Sequence, residues 1–168
     1  MSEWRSVDMD HDRDLLLELH CSINYESETP LARKVPYEAY REKWLSTSQT
    51  ERFLSELEES LKDERTVAEI LEEDGEIVAY VWVMFWDVEG YDVTVAEIVD
   101  VFVASERRRQ GIGSDIMSRI EETARKLGAS LLRSDTGIEN VASQNLHEKM
   151  GYAPYKIHYE KALGEPLE

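Results

Sequence analysis

Cysteine occurs once in 168 residues, at Cys21. One thiol excludes an intramolecular disulfide, and no Cys/His cluster has zinc-ligand spacing, so no metal is expected. Long apolar runs are missing as well. The longest, Ile77 to Trp86, falls well short of the roughly 20 residues a membrane helix needs. The start, Met1-Ser2-Glu3-Trp4-Arg5, lacks the basic region and apolar core of a secretory signal, which leads us to expect a cytoplasmic chain without a membrane partner. Positive charge is scarce: 19 Lys+Arg stand against 36 Asp+Glu, a net charge of −17. Nucleic acid is therefore not an expected partner, because phosphate backbones are bound by cationic surfaces. The same balance steers cationic small molecules or peptides inward, although it serves equally as a solubility device or an adaptation to a salty cytoplasm.

What is present fits one globular domain spanning 1–168, with 42% hydrophobic residues and no internal repeat. Trp4 to Val7 reads as a strand. Asp10 to Asp14 supplies capping acids for a helix carrying Leu15, Leu16, Leu17, Leu19 and Ile23. Glu26 to Pro36 is polar and reads as a loop, and helical spacing returns at Tyr37 to Leu45 and Glu51 to Lys62. Thr66 to Leu71, a turn at Asp74-Gly75 and Ile77 to Trp86 form a hairpin. The second of these strands is apolar throughout, which places it centrally, covered on both faces. Thr94 to Val103 is the next strand, followed by a helix to Leu127 that stops at Gly128. Ser130 to Ser134 reads as a strand, Asn140 to Met150 as a helix, and Tyr152 to Ala162 as a last strand or pair. This order predicts an α/β layered domain with a mixed sheet.

Between the Thr94 strand and its helix stands Arg107-Arg108-Arg109-Gln110-Gly111-Ile112-Gly113-Ser114. Three arginines in so acidic a chain ask for a local anion. Gly111 and Gly113 let the backbone approach it without a Cβ in the way. The helix that follows presents unpaired N–H groups and its positive dipole end to the same point. This is a pyrophosphate cradle, but not a P-loop, since Ser114-Asp115 stands where Lys-Ser/Thr is needed. Nor is it a dinucleotide fingerprint, which needs a third small residue where Ile116 stands.

The segment resembles the Arg-x-x-Gly-x-Gly signature of the GNAT superfamily of N-acetyltransferases. Asn140 at its spacing from Gly151-Tyr152, and the hairpin just upstream, extend the resemblance over Glu97 to Tyr152. It implies the GNAT fold: a mixed, mostly antiparallel central sheet with splayed parallel strands, flanked by helices. It further implies acetyl-CoA as co-substrate, with pantetheine pairing to the backbone of Val101, Phe102 and Val103 in the splay. The pyrophosphate would be held by the N–H groups of Arg109, Gln110, Gly111, Ile112, Gly113 and Ser114. Arg108 sits at the signature's basic position. Asn140, Ser143, Gln144 and His147 share one helix face and suit pantetheine amides, or else form an ordinary solvated stripe.

Acetyl transfer to an amine needs a neutral nucleophile, and a lysine-like amine of pKa ~10.4 is neutral about one part in a thousand near pH 7.4. Glu97 is the favoured base, with Asp100 the second candidate and water a third. Alternation puts Glu97 on the face of Val99, Val101 and Val103, with Asp100 opposite unless a bulge intervenes. His147 stands where the family usually has a tyrosine; it is the candidate acid for the departing thiolate, and Tyr152 is expected in the core. The acceptor would be a small or peptidic primary amine, with a cationic one favoured and a homodimer allowed. A non-catalytic coenzyme A binder with an acidic surface for a basic partner is the alternative.

Overall fold

The computed structural model describes residues 2–164; Met1 and residues 165–168 lie outside the described residues. Five strands lie in sequence order across one sheet: β1 (Ser2–Ser6), β2 (Val67–Glu73), β3 (Glu76–Asp87), β4 (Thr94–Val103) and β5 (Leu131–Arg133). The first four pair antiparallel, and β5 runs parallel to β4. Among the helices, α1 (Arg13–Ser27), α2 (Tyr37–Leu45) and α3 (Gln49–Ser60) precede β2, whereas α4 (Ile112–Lys126) and α5 (Val141–Lys149) follow β4. This is the mixed, mostly antiparallel, helix-flanked sheet that the resemblance implies.

The β2–β3 turn follows from its two residues. Asp74 and Gly75 both take positive φ, 52° and 85°, which matches the twist of a two-residue hairpin. Strand β3 is central, and its alternate side chains feed two cores. Ala79, Val81, Val83 and Phe85 pack with Ala96, Ile98 and the α4 stripe Ile116, Met117, Ile120 and Ala124. Tyr80 and Trp82 pack on the other face with Leu16 and Leu19 of α1, and with Phe53, Leu54 and Leu57 of α3. Trp82 Nε1 donates to Ser60 Oγ at 3.0 Å, so its buried polar atom is satisfied. Burying each large side chain contributes about 1.5–3 kcal/mol.

Two sequence expectations shift, at the start of α1 and after Tyr152, and α5 seats on few residues. Asp12 stands at the N-cap of α1 but does not cap it. Its carboxylate accepts instead from Arg5 Nη1 and Nη2, at 2.7 and 2.8 Å, and from the Asp8 N–H. Val141 is exposed, leaving Leu146 and Met150 to seat α5 against the α4 core. Tyr152 to Ala162 is not a strand. Pro154 removes a donor near its start, and Tyr155, Ile157 and Tyr159 alternate as strand residues do yet stay 70–90% exposed because they meet no sheet face.

Two irregularities of β4 position the site. Its register with β3 slips so that Trp82 faces Asp100 and Val83 faces Ile98, leaving Val99 as a bulge. Its pairing with β5 covers only Val95, Ala96 and Glu97. Past Glu97 the outer edge of β4 is open among the described residues, and the parallel strands part there.

Candidate active site

The segment from Glu106 to Ser114, which runs into the first turn of α4, follows the end of that open edge. Arg109 takes φ +61° and Gly111 φ +90°, both left-handed, while no side chain caps the N-terminus of α4. The donors of the first helical turn are thus left without a protein acceptor from a cap, in a backbone shaped to wrap an anion. A Cβ at Gly113 would sit 3.2 Å from Leu146 Cδ2, so this glycine lets α5 approach closely. The residues present fit a pyrophosphate.

The arginines diverge. Arg107 turns away to pair with Glu73 on β2. Arg108 crosses the gap: its Nε donates to the Val103 carbonyl and its Nη2 to Glu26 Oε1 at the end of α1, each at 3.0 Å. Arg109 and Gln110 are exposed, and the Gln110 amide donates to the Glu106 carbonyl. Val101 and Val103 pack partly against the α4 core, and Phe102 against the α1/α3 core.

On α5 the polar stripe is largely engaged within the protein. Asn140 Oδ1 caps the helix by accepting from the Ser143 N–H at 3.1 Å. Gln144 donates to the carbonyls of Gly137 and Ile138. His147 Nδ1 lies 2.7 Å from the Ser143 carbonyl, an acceptor, so that nitrogen carries the hydrogen. His147 Nε2 is buried without a partner among the described residues, and the ring meets Tyr152 edge-on. Tyr152 belongs to the core, where burial pushes its phenol up to about 12.

The bulge changes the face assignment of the acids. Val101 and Val103 point to α4, whereas Glu97, opposite Met84, and Asp100, opposite Trp82, share the α1/α3 face. The two carboxylates differ in setting. Glu97 is exposed and accepts from Trp86 Nε1 at 3.3 Å. Asp100 is 2% exposed, and its Oδ2 lies 2.8 Å from His20 Nδ1 on α1. Burial first, and the nearby Asp100 carboxylate second, raise the Tyr80 phenol well above its usual pKa and keep it protonated.

Sequence reasoning did not single out His20 or Gly137. His20 sits in a helix read for its leucines, and only the fold brings it to β4. A Cβ at Gly137 would lie 3.0 Å from the backbone of Glu26 and Ser27, so this glycine lets the loop before α5 lie against the end of α1.

The acetyltransferase (GNAT) family model matches residues 31–152, more than half of the chain. The chain belongs to that family. Aminoglycoside N(6')-acetyltransferase type 1 of Serratia marcescens is 38% identical over 72 residues, 42% of this chain and about half (49%) the length of that relative. A protein of Clostridium acetobutylicum described as a predicted acetyltransferase, solved with acetyl-CoA, superposes with a TM-score of 0.71 at 17% identity, over 97% of each chain. An aminoglycoside 6'-N-acetyltransferase from Acinetobacter baumannii gives 0.63 at 17% identity, over 98% of this chain and all of that one. At such identities the two structures speak to the GNAT fold alone. Among the described residues no helix is long and apolar enough to cross a membrane.

Proposed function

We propose that the protein transfers an acetyl group from acetyl-CoA directly to the primary amine of a small cationic acceptor. The observation that carries this reading is the left-handed arginine-glycine loop at the uncapped N-terminus of α4, set at the end of the open edge of β4. In this reading the pyrophosphate takes the N–H groups from Arg109 to Ser114, and pantetheine lies along Val101 to Val103. Arg108 then exchanges the Val103 carbonyl for the cofactor, and Asn140 and Ser143 flank the arm from α5. Acetyl-CoA supplies an activated acyl group whose thiol leaves on attack.

The acceptor class rests on the −17 net charge, which favours cations over long range, and on relatives named for aminoglycosides. Glu97 offers an exposed carboxylate on the acceptor side. His147 is the proposed donor to the departing thiolate: a carbonyl fixes Nδ1–H, so Nε2 donates only when the ring is an imidazolium and its buried edge opens to the thiolate. The reading places the protein in the cytoplasm and allows a homodimer. A non-catalytic coenzyme A binder is the second reading, favoured by the histidine in place of the family's usual tyrosine. Thiol release from acetyl-CoA across an aminoglycoside, a polyamine and lysine peptides separates the two. Calorimetry that finds no binding of coenzyme A overturns both.

A further inference from the structure

The buried carboxylate of Asp100 has one partner that no element of the cofactor site uses. His20 comes from α1, and its ring is stacked on Phe53 with centroids 3.8 Å apart and an interplanar angle of 11°. Trp44 of α2 closes on it from another side, at 5.8 Å. Two aromatic walls and a 2.8 Å hydrogen bond fix the imidazole in position and rotation. A carboxylate oxygen accepts here, so Nδ1 carries the hydrogen, and in the neutral ring Nε2 is the nitrogen left with a lone pair.

That second nitrogen faces away from the protein's own partners. It makes no hydrogen bond among the described residues, and it is not among their sealed polar atoms. The His20 side chain is 14% exposed where that of Asp100 is 1% exposed, so the ring is the member of the pair that meets solvent. Asp100 lies three residues past Glu97, in the stretch of β4 whose outer edge is open. The pair therefore stands on the α1/α3 face of the stretch of β4 whose outer edge is open. A buried, carboxylate-oriented imidazole with one free nitrogen is the usual build of a general base.

We propose that His20 Nε2 is the base that takes the proton from the acceptor's ammonium group, with Asp100 as the positioning residue that sets its tautomer. This deepens the acetyl-transfer reading and rests on it. The ammonium gives one proton to Nε2, making an imidazolium that later releases it to water. The freed nitrogen lone pair forms the C–N bond to the thioester carbonyl carbon, and the C–S bond breaks with its electrons going to sulfur. Sulfur takes its proton from the His147 imidazolium, and the second nitrogen proton replaces the one His147 gives up, leaving an amide, a free thiol and one proton released. Glu97 is left as an exposed carboxylate beside the approach path.

The test combines turnover with a measurement on the ligand-free protein. In a long-range 1H–15N spectrum of histidine-labelled protein, neutral His20 is expected as the Nδ1–H tautomer, and Asp100→Asn is expected to lose that preference. A neutral ring protonated at Nε2 overturns the assignment. His20→Ala and His20→Gln should lower kcat about 10²–10⁴-fold with little change in KM for acetyl-CoA. Added imidazole should restore part of the His20→Ala loss, because the slot between Phe53 and Trp44 would accept it. Variants that turn over normally, or a loss that imidazole does not touch, overturn the base role and leave the acetyl-transfer reading standing. A wild type that acetylates no amine overturns both.

Discussion

Gly111 is the position where backbone shape and charge can be separated experimentally. Its φ of +90° lies in the left-handed region, and a Cβ built there meets nothing within 4 Å. Gly111→Ala therefore costs backbone strain without a clash, about 1–2 kcal/mol. For a domain of this size each kcal/mol lowers Tm by roughly 2–4 °C, so the expected drop is about 2–8 °C. Gly111→Glu carries the same strain and adds a carboxylate beside the proposed pyrophosphate. At about 4 Å in water each pair of unit charges repels by about 1 kcal/mol. Two phosphate charges give about 2 kcal/mol, roughly 30-fold in affinity.

The two variants should thus melt together and bind differently. Thermal unfolding checks the first statement, and calorimetric titration with coenzyme A checks the second. The affinity gap should shrink toward 1 M salt, where the screening length is about 3 Å. If Gly111→Glu binds coenzyme A as tightly as Gly111→Ala, no anion lies at this turn and the cradle reading is refuted.

Glu97→Gln is expected to lower turnover by less than His20→Ala does; a loss of 10²–10⁴-fold in the glutamine variant alone would move the base to Glu97. His147→Phe should lose turnover while His147→Tyr retains it, and a fully active phenylalanine variant would reduce His147 to a packing residue. Arg5 bonding holds the Asp12 carboxylate below its ordinary range. A depressed folded pKa means stability that is present above the unfolded value of about 3.9 and lost as pH falls through the folded one. Asp12→Asn should accordingly cost about 1.5–3 kcal/mol at pH 7 and flatten the acid limb of the stability curve; an unchanged acid limb in urea titrations from pH 7 to 2 would count against this.

The elements that were legible in the sequence are those whose signal is local. Strand β3 reads as central because every position from Ile77 to Trp86 is apolar, and both its faces are in fact covered. The α4 stripe reads as a buried face because Ile112, Ile116, Met117, Ile120, Ala124 and Leu127 keep helical spacing; the middle four are buried, Ile112 is half-buried and Leu127, past the helix end, is exposed. Asn140 reads as a helix start and is the cap. The segment after Tyr152 misled for the opposite reason. Its alternation is a true local signal, but a strand also needs a paired neighbour, and β5, the edge strand of the described sheet, is only three residues long. His20 was invisible because its partner lies 80 residues away.

The bulge at Val99 joins these levels. Without the extra residue, strict alternation would turn Asp100 towards α4, whose side chains at that face are Ile116, Met117 and Ile120. An ionised carboxylate left unpaired among them would cost several kcal/mol. One inserted residue returns Asp100 to the face of α1, where His20 meets it, and still brings Val101 and Val103 back under α4. The slip comes just after the last residue that β5 pairs. The strand therefore changes its side-chain phase at the place where its outer edge becomes free. That single backbone irregularity sets Asp100 and its His20 partner on one face, an apolar seam on the other, and an unpaired backbone between them, and the proposed transfer draws on all three.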